Sequence, residues 1–268
     1  MRVAPVRVSP AWLELREPAD AAARSGELAE RLAERLPAAS PLVVHDLGGG
    51  SGAMGRWLAP RLAGPQHWVV HDRDAALLAL ALADPPAGPV TVEARRTDLG
   101  RLAAADLAGA DLVVASALLD LLTAPELSTV LAACTAARCP VLLALTVVGR
   151  VLLAPAEPLD RRIAAAFDAH QCRPTAAGPL LGPDAVPAAV RALATTDGDL
   201  VVRPSPWRLG PAQADLTIAW LDGWVAAACE QEPALTAEAI AYRDRRVAQA
   251  AAGGLAVTVD HADLLVLP

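Results

Sequence analysis

The feature that most constrains this chain is a single strand that runs into a glycine-rich turn and out again into a helix. Leu42-Val43-Val44-His45-Asp46 is an apolar run closed by an acid. Leu47-Gly48-Gly49-Gly50-Ser51-Gly52 follows at once, and Met54 to Leu62 then has the pattern of a helix. A strand this continuously apolar belongs to a parallel sheet covered on both faces. Glycine permits positive φ and lets a ligand approach the backbone closely. Amides at the start of the next helix point into the same space. Taken alone, the turn signals a nucleotide-like ligand and no more.

The same alternation continues downstream. His67-Trp68-Val69-Val70-His71 reads as a second strand ending at Asp72, with a helix from Ala75 to Ala83 that Pro85-Pro86 stops. Val90 to Ala94 is a third strand, running on to Thr97-Asp98-Leu99, and Asp111 to Ser116 a fourth. Ala124 to Ala137 is helical, with Pro125 in its first turn, and Val141 to Val148 is a fifth strand. Strands alternating with helices give an α/β fold, doubly wound around a mostly parallel sheet. The pattern loosens after Arg150. A short helix over Leu159 to His170, a helix near Val186 to Leu193 and a strand near Leu200 to Arg203 are expected there. Ala212 to Ala252 reads as largely helical, and two extended runs, Leu255 to Val259 and Asp263 to Leu267, close the chain.

Composition narrows the function classes. The chain is 54% hydrophobic, enough for a full core, yet no run of eighteen apolar residues is uninterrupted. No membrane partner is expected, and Met1 to Leu15 lacks the pattern of a signal peptide. Net charge is −7 and there is no lysine, so every fixed side-chain cation is arginine. An acidic chain without a basic block is a poor nucleic-acid binder, because neutralising phosphate supplies most non-specific affinity. Arg95-Arg96 and Arg161-Arg162 read as solvated pairs. Cys134, Cys139, Cys172 and Cys229 form no CxxC pair and no zinc spacing, so no metal is expected, and reduced thiols in a cytoplasmic protein are.

The acid ahead of the glycines sharpens the reading. Gly50-Ser51-Gly52-Ala53-Met54-Gly55 fits the dinucleotide pattern GxGxxG, which keeps an NAD-dependent oxidoreductase open. Asp46, two residues before Gly48, instead makes DxGxGxG. That motif, with Asp72, Asp98-Leu99 and Ser116 after the next three strands, resembles the class I S-adenosylmethionine-dependent methyltransferases. The resemblance covers about residues 40 to 150 well and the remainder loosely. It implies a seven-stranded sheet and S-adenosyl-L-methionine as cofactor, with S-adenosyl-L-homocysteine as product. In it Gly48, Gly49, Gly50 and Gly52 pass under the methionine part, and Asp46 orders the loop and the amino end. Asp72, with Arg73 beside it, takes the ribose hydroxyls, a role suited to a carboxylate with two oxygens for two donors. Asp98 and Leu99 face the adenine, and Ser116 begins the motif that faces cofactor and substrate. Each acid also has a plainer role open to it: Asp46 and Asp98 as turn residues, Asp72 and Asp120 as helix caps.

The resemblance further implies an N-terminal helical lid, residues 1–40, ahead of a catalytic domain, residues 41–268. Acceptor-shaping insertions are expected at about 151–185 and 211–252. Arg16 or Arg24 of the lid would meet the cofactor carboxylate. His170, in the irregular stretch after the fifth strand, is the candidate base or acceptor-binding group. The fourth strand is followed by Ala115-Ser116-Ala117-Leu118-Leu119-Asp120, not by the Asn/Asp-Pro-Pro-aromatic motif of amino-directed nucleic-acid methyltransferases, and no Pro-Cys supplies a nucleophile. With the acidic charge this favours a small-molecule acceptor. A homodimer and a non-catalytic cofactor-binding partner protein both remain compatible with the pattern.

Overall fold

The computed structural model describes residues 8–37, 41–195 and 198–268. Of the expected lid, residues 1–7 and 38–40 lie outside the described residues. The helices are α1 (Pro10–Ala23), α2 (Gly26–Ala33), α3 (Ala53–Leu58), α4 (Ala75–Ala83), α5 (Ala124–Ala137), α6 (Asp160–Gln171), α7 (Ala185–Leu193), α8 (Ala214–Gln231) and α9 (Thr236–Ala251). The strands are β1 (Leu42–Leu47), β2 (Gln66–Asp72), β3 (Val90–Arg96), β4 (Leu112–Ser116), β5 (Val141–Ala154), β6 (Pro174–Thr175), β7 (Gly178–Pro179), β8 (Asp199–Pro204), β9 (Trp207–Leu209) and β10 (Ala256–Leu267).

The main sheet runs β3-β2-β1-β4-β5-β10-β8. Strands β1 to β5 are mutually parallel, whereas β10 is antiparallel to both its neighbours. The doubly wound, mostly parallel sheet is therefore as expected, but among the described residues it has eight strands and not seven. β9 is the additional one. It pairs with Val257–Val259 of β10, while β8 pairs with Ala262–Leu267 of the same strand. The two late extended runs are thus one strand, β10, kept continuous through bulges at Val259/His261 and Ala262/Leu264.

Local chemistry explains the element ends. Thr123 and Glu126 form a capping box for α5, and Pro125 sits in its first turn. Asp74 caps α4 by accepting from the Ala76 amide. Both sheet faces are covered, which is why β1 and β4 read as continuous apolar runs. One core joins Leu47, Val113 and Leu143 to α5 and α7. The other joins Val44, Val114 and Leu142 to α2 and α3.

β5 continues six residues past Val148, the end that the sequence pattern predicts. With β10 and β9 it makes an arm beyond the carboxyl ends of β1 and β4. A third core covers that arm, uniting Leu153, Val257 and Val259 with Trp207, Trp220, Trp224 and Tyr242, and with α1 packed against it. The tryptophans are part of that packing: Trp220 and Trp224 stack with centroids 4.9 Å apart. Among the described residues no helix is long and apolar enough to cross a membrane, no cluster of side chains suits a metal, and all four cysteines are free.

Candidate active site

Every acid singled out from the sequence lies at or just beyond the carboxyl edge of β1 to β4, where ligands bind in open α/β sheets. Gly48, Gly50 and Gly52 have φ of 66°, 55° and 85°, a region that strains any residue with a Cβ. Gly49 is required for a different reason. A Cβ there would lie 2.6 Å from Asp46 Oδ2 and 2.8 Å from Val70 Cγ1. The loop therefore wraps directly over the Asp46 carboxylate. The Gly49 amide donates to the His71 carbonyl at 3.1 Å, and the Gly50 amide to Asp72 Oδ2 at 3.0 Å.

Asp46 is fully buried, and among the described residues neither of its carboxylate oxygens has a hydrogen-bond partner. Burial pushes its carboxyl up to about 7, partly offset by Arg24, while Asp72 raises it further. An uncompensated buried carboxylate is costly, and natural cores avoid it where nothing binds. Asp72 is placed differently. Its Oδ1 accepts from the Asp74 amide at 2.8 Å and its Oδ2 from Gly50, so it ties the second strand to the glycine loop. Each oxygen keeps a further lone pair for an outside donor. It does not cap α4, a task that falls to Asp74. Arg73 follows it, its carbonyl accepting from Arg96 Nε at 3.3 Å. Asp98 is exposed and caps the turn Leu99–Arg101 through the Gly100 amide, while Leu99 packs at the margin of the α5 core.

Helix α1 supplies the opposite wall, through a charged stripe. Leu13, Arg16, Asp20 and Arg24 are spaced three and four apart and so share one face. A surface helix normally turns such a stripe to water; here Asp20 and Arg24 are each 5% exposed. Leu13 Cδ1 lies 3.7 Å from where a Cβ on Gly50 would be. Arg16 Nη2 donates to Asp20 Oδ1 at 3.1 Å, and its guanidinium lies 5.0 Å over the Trp207 ring. Trp207 Nε1 donates to the same Asp20 oxygen at 2.9 Å. Arg24 Nη2 donates to Ser116 Oγ at 3.1 Å and lies 4.0 Å from Asp20. Among the described residues its Nε and Nη1 have no hydrogen-bond partner. Burial lowers the Arg24 pKa, with Asp20 and Asp46 opposing that shift. Glu17 clamps the helix to α3 through Arg56, at 2.7 and 2.6 Å, and Arg56 also donates to the Ser51 carbonyl at 2.7 Å.

Of the two arginines expected to meet the cofactor carboxylate, Arg24 reaches the strand ends and the neighbourhood of Asp46. Arg16 turns toward Asp20 and Trp207. His170, in the last turn of α6, has Glu230 Oε2 at 3.1 Å and Arg173 Nη1 at 3.5 Å; none of its polar contacts is to a strand-end residue. Three groups escaped the sequence reading. Asp263 sits in a bulge of β10, accepting from the Leu145 and Ser25 amides at 2.8 Å each and from Ser205 Oγ, so it joins β5, β10 and the α1–α2 link. Asp20 is the hub of the α1 stripe. His261 is 4% exposed with its Nδ1 unpartnered, and burial holds it down at about 4. Only the four-residue spacing of Asp20 to Arg16 and Arg24 was visible beforehand, and that spacing equally describes a solvated face.

No protein-family model and no curated protein matches the chain in sequence. Solved structures do match it in shape. The cyclopropane synthase MmaA2 from Mycobacterium tuberculosis superposes with a TM-score of 0.51 at 14% identity, over 97% of this chain and 94% of that one. A putative methyltransferase from Bacillus halodurans gives 0.49 at 11% identity, over 90% and 97%. An S-adenosylmethionine-dependent methyltransferase from Thiobacillus denitrificans, solved with S-adenosyl-L-homocysteine, gives 0.45 at 15% identity, over 96% and 99%. The first of these carries the assignment, together with the strand order and the glycine loop: the chain has the fold of the class I S-adenosylmethionine-dependent methyltransferases.

Proposed function

We propose that this chain transfers the methyl group of S-adenosyl-L-methionine to a small molecule in the cytoplasm. The observation that carries the reading is the pairing of two incomplete charges. Asp46 has a buried carboxylate with both oxygens unpartnered, and Arg24 a buried guanidinium with two unpartnered nitrogens. A zwitterionic amino-acid end fits between such groups, its ammonium toward Asp46 and its carboxylate toward Arg24. A dinucleotide presents phosphates to this loop, which a carboxylate at Asp46 would repel. Gly48 to Gly50 provide the close floor, and Asp72 takes the ribose hydroxyls with the lone pairs that Gly50 and Asp74 leave free. Arg73 flanks the ribose site, and Leu99 and Asp98 offer an apolar edge and an acceptor to the adenine. Ser116, held by Arg24, lies between the cofactor and acceptor sides.

The bound cofactor supplies a methyl already activated on a positively charged sulfur, open to in-line displacement. The residues of this chain have the task of aligning and drying the site. Alignment of this kind is worth roughly 7–11 kcal/mol of barrier. α1 and the covered β5–β10 arm exclude water on the acceptor side, and His170 is given no part in the reaction.

Calorimetry with S-adenosyl-L-homocysteine and with NAD tests the reading directly. Binding of the former and not the latter is expected, and a preference for NAD would overturn it. Asp72→Ala removes charged hydrogen bonds of about 1.5–3 kcal/mol each, so S-adenosyl-L-homocysteine affinity falls roughly tenfold or more. Unchanged affinity would refute the ribose assignment. Methyl transfer to a metabolite pool separates a catalyst from a non-catalytic binding protein.

A further inference from the structure

The main sheet ends at β3, and one edge of that strand is unused. β3 pairs with β2 in continuous register, from Gln66↔Val90 to Asp72↔Arg96, and with no other strand among the described residues. The Gln66 amide donates to the Pro89 carbonyl and the Thr97 amide to the Asp72 carbonyl, at 3.0 Å each. Backbone groups alternate sides along a strand, so Thr91, Glu93 and Arg95 face β2 as Pro89 and Thr97 do. Val92, Ala94 and Arg96 therefore turn their N–H and C=O groups outward. Seven residues without a proline or a bulge are a template for another strand, and natural proteins usually block such an edge. The opposite edge, β8, is built differently. It ends at Pro204, and α2 holds its Asp199 and Arg203 through Arg31 and Glu27.

The side chains of that edge are complementary to themselves. Thr91, Glu93 and Arg95 share one face of the strand, Val92 and Ala94 the other. Glu93 and Arg95 are each 44% exposed and are joined at 2.6 Å. An antiparallel copy related by a two-fold axis through Ala94 sets Glu93 opposite the partner's Arg95, and Arg95 opposite the partner's Glu93. Thr91 then meets the partner's Thr97. Ala94 bonds its own mate through both outward groups. The residues beside it form pairs without hydrogen bonds, whose Cα atoms lie only about 4.5 Å apart, so the four charges come close and alternate in sign. An axis through Val92 would instead set Glu93 against Thr91 and Arg95 against Pro89. Of the outward-facing residues, only Ala94 gives the match.

Helix α4 lies over the same edge and contacts both β2 and β3. Its Leu78 and Ala81 pack on Val70, Val92 and Ala94. Between Asp74 and Asp84 it has no polar side chain, and Leu80 and Leu82 are 39% and 49% exposed. A helix apolar all round is ordinarily covered on every side. The two-fold puts both copies of α4 on one face of the joined sheet. With strands about 4.8 Å apart, a helix over the β2–β3 gap lies about 10 Å from its mate, a helix-packing distance.

We propose that β3 is the contact edge of a homodimer, in which a second copy of this chain continues the sheet through its own β3 and covers the exposed side of α4. The proposal concerns a surface and stands independently of the methyl-transfer reading. Charge order selects the partner. A strand seated here must bring a cation to Glu93 and an anion to Arg95, and β3 run in reverse carries that order. The two-fold also closes the assembly, because each copy uses its β3 edge once. The β5–β10 arm and α1 lie toward the other end of the sheet, so pairing at β3 leaves the acceptor side free.

Sedimentation velocity of the full chain over a range of concentrations tests the assignment. The wild type is expected to pass from monomer to a discrete dimer as concentration rises. Glu93→Arg should raise the dissociation constant about tenfold or more, because two attractive cross-strand pairs become repulsive, and Arg95→Glu should do the same. Glu93→Arg combined with Arg95→Glu restores the alternation and should restore the dimer. Ala94→Pro removes an outward N–H that the ladder to β2 does not use, so it should abolish the dimer with little change in melting temperature. Leu82→Glu should weaken the dimer through α4. A wild type that stays monomeric at every concentration overturns the proposal. So does a dimer indifferent to Glu93→Arg, or a charge swap that fails to restore it. Assembly that runs on past the dimer overturns it too, since that requires pairing of unlike edges. Should Ala94→Pro fail to fold, the charge swap decides alone.

Discussion

Binding of S-adenosyl-L-homocysteine should expel a proton from Asp46. The carboxyl is buried, unpartnered and raised to about 7. An ammonium placed against it, directly or across one water, favours the ionised form and returns it toward the ordinary carboxylate range. The ligand-free site is about half protonated at pH 7, so binding releases roughly 0.5 proton there, about 0.9 at pH 6 and about 0.1 at pH 8. Moving a carboxyl from about 7 to its ordinary 3.8 corresponds to about 4 kcal/mol of differential interaction. The sign follows: affinity is full above pH 7 and weakens about tenfold for each pH unit below it, as protons compete for the carboxylate. Titration calorimetry in two buffers of different ionisation enthalpy reads the proton count directly. Asp46→Asn should abolish the release and flatten the pH dependence, whereas Asp120→Asn should retain most of both. A wild-type proton count near zero at pH 6, or an undiminished count in Asp46→Asn, would refute the assignment of Asp46 to the ammonium.

Gly49→Ala drives a Cβ to within 2.6 Å of Asp46 Oδ2, and overpacking of this kind costs about 1–3 kcal/mol. A lower melting temperature together with lost S-adenosyl-L-homocysteine binding is expected; wild-type affinity would show that the loop yields freely. His45 and His71 form a buried pair, Nδ1 to Nε2 at 2.9 Å, with His71 Nδ1 2.9 Å from Thr97 Oγ1, and burial lowers both to about 4. Each folded pKa lies below the unfolded value, so the contribution is full above pH 6.5 and is lost as pH falls toward 4, by on the order of 3 kcal/mol for each histidine. Denaturant titrations of wild type and His45→Gln/His71→Gln should show the wild-type advantage shrinking over that window; a constant difference would contradict it.

The linear pattern determined the parallel part of the fold. Leu42–Leu47 and Leu112–Ser116 read as buried strands because burial on both faces leaves a continuous apolar run, and that signal needs no distant partner. The bounds of α4 and α5 were legible for a similar reason: Asp74, Thr123, Glu126 and Pro125 act within one turn of the residues they cap. Asp46, Asp72, Asp98 and Ser116 stand out in the sequence because each lies within two residues of a strand end, and strand ends are local events.

Tertiary structure decided what lies across the space from those ends. β10 is one strand and not two, because β5, far away in the chain, pairs with it from Ala256↔Ala154 to Val266↔Val141. β9 exists only because β10 offers it an edge, and three residues carry too little periodicity to announce a strand. The α1 stripe of Arg16, Asp20 and Arg24 reads as a solvated face in any window of sequence. It is buried because Trp207, Ser116 and the glycine loop arrive from elsewhere to cover it. Asp120 passed equally for a cap, and the structure gives that task to Thr123. Spacing along a helix says which side chains share a face. Whether that face meets water or an active site depends on contacts between elements remote in sequence.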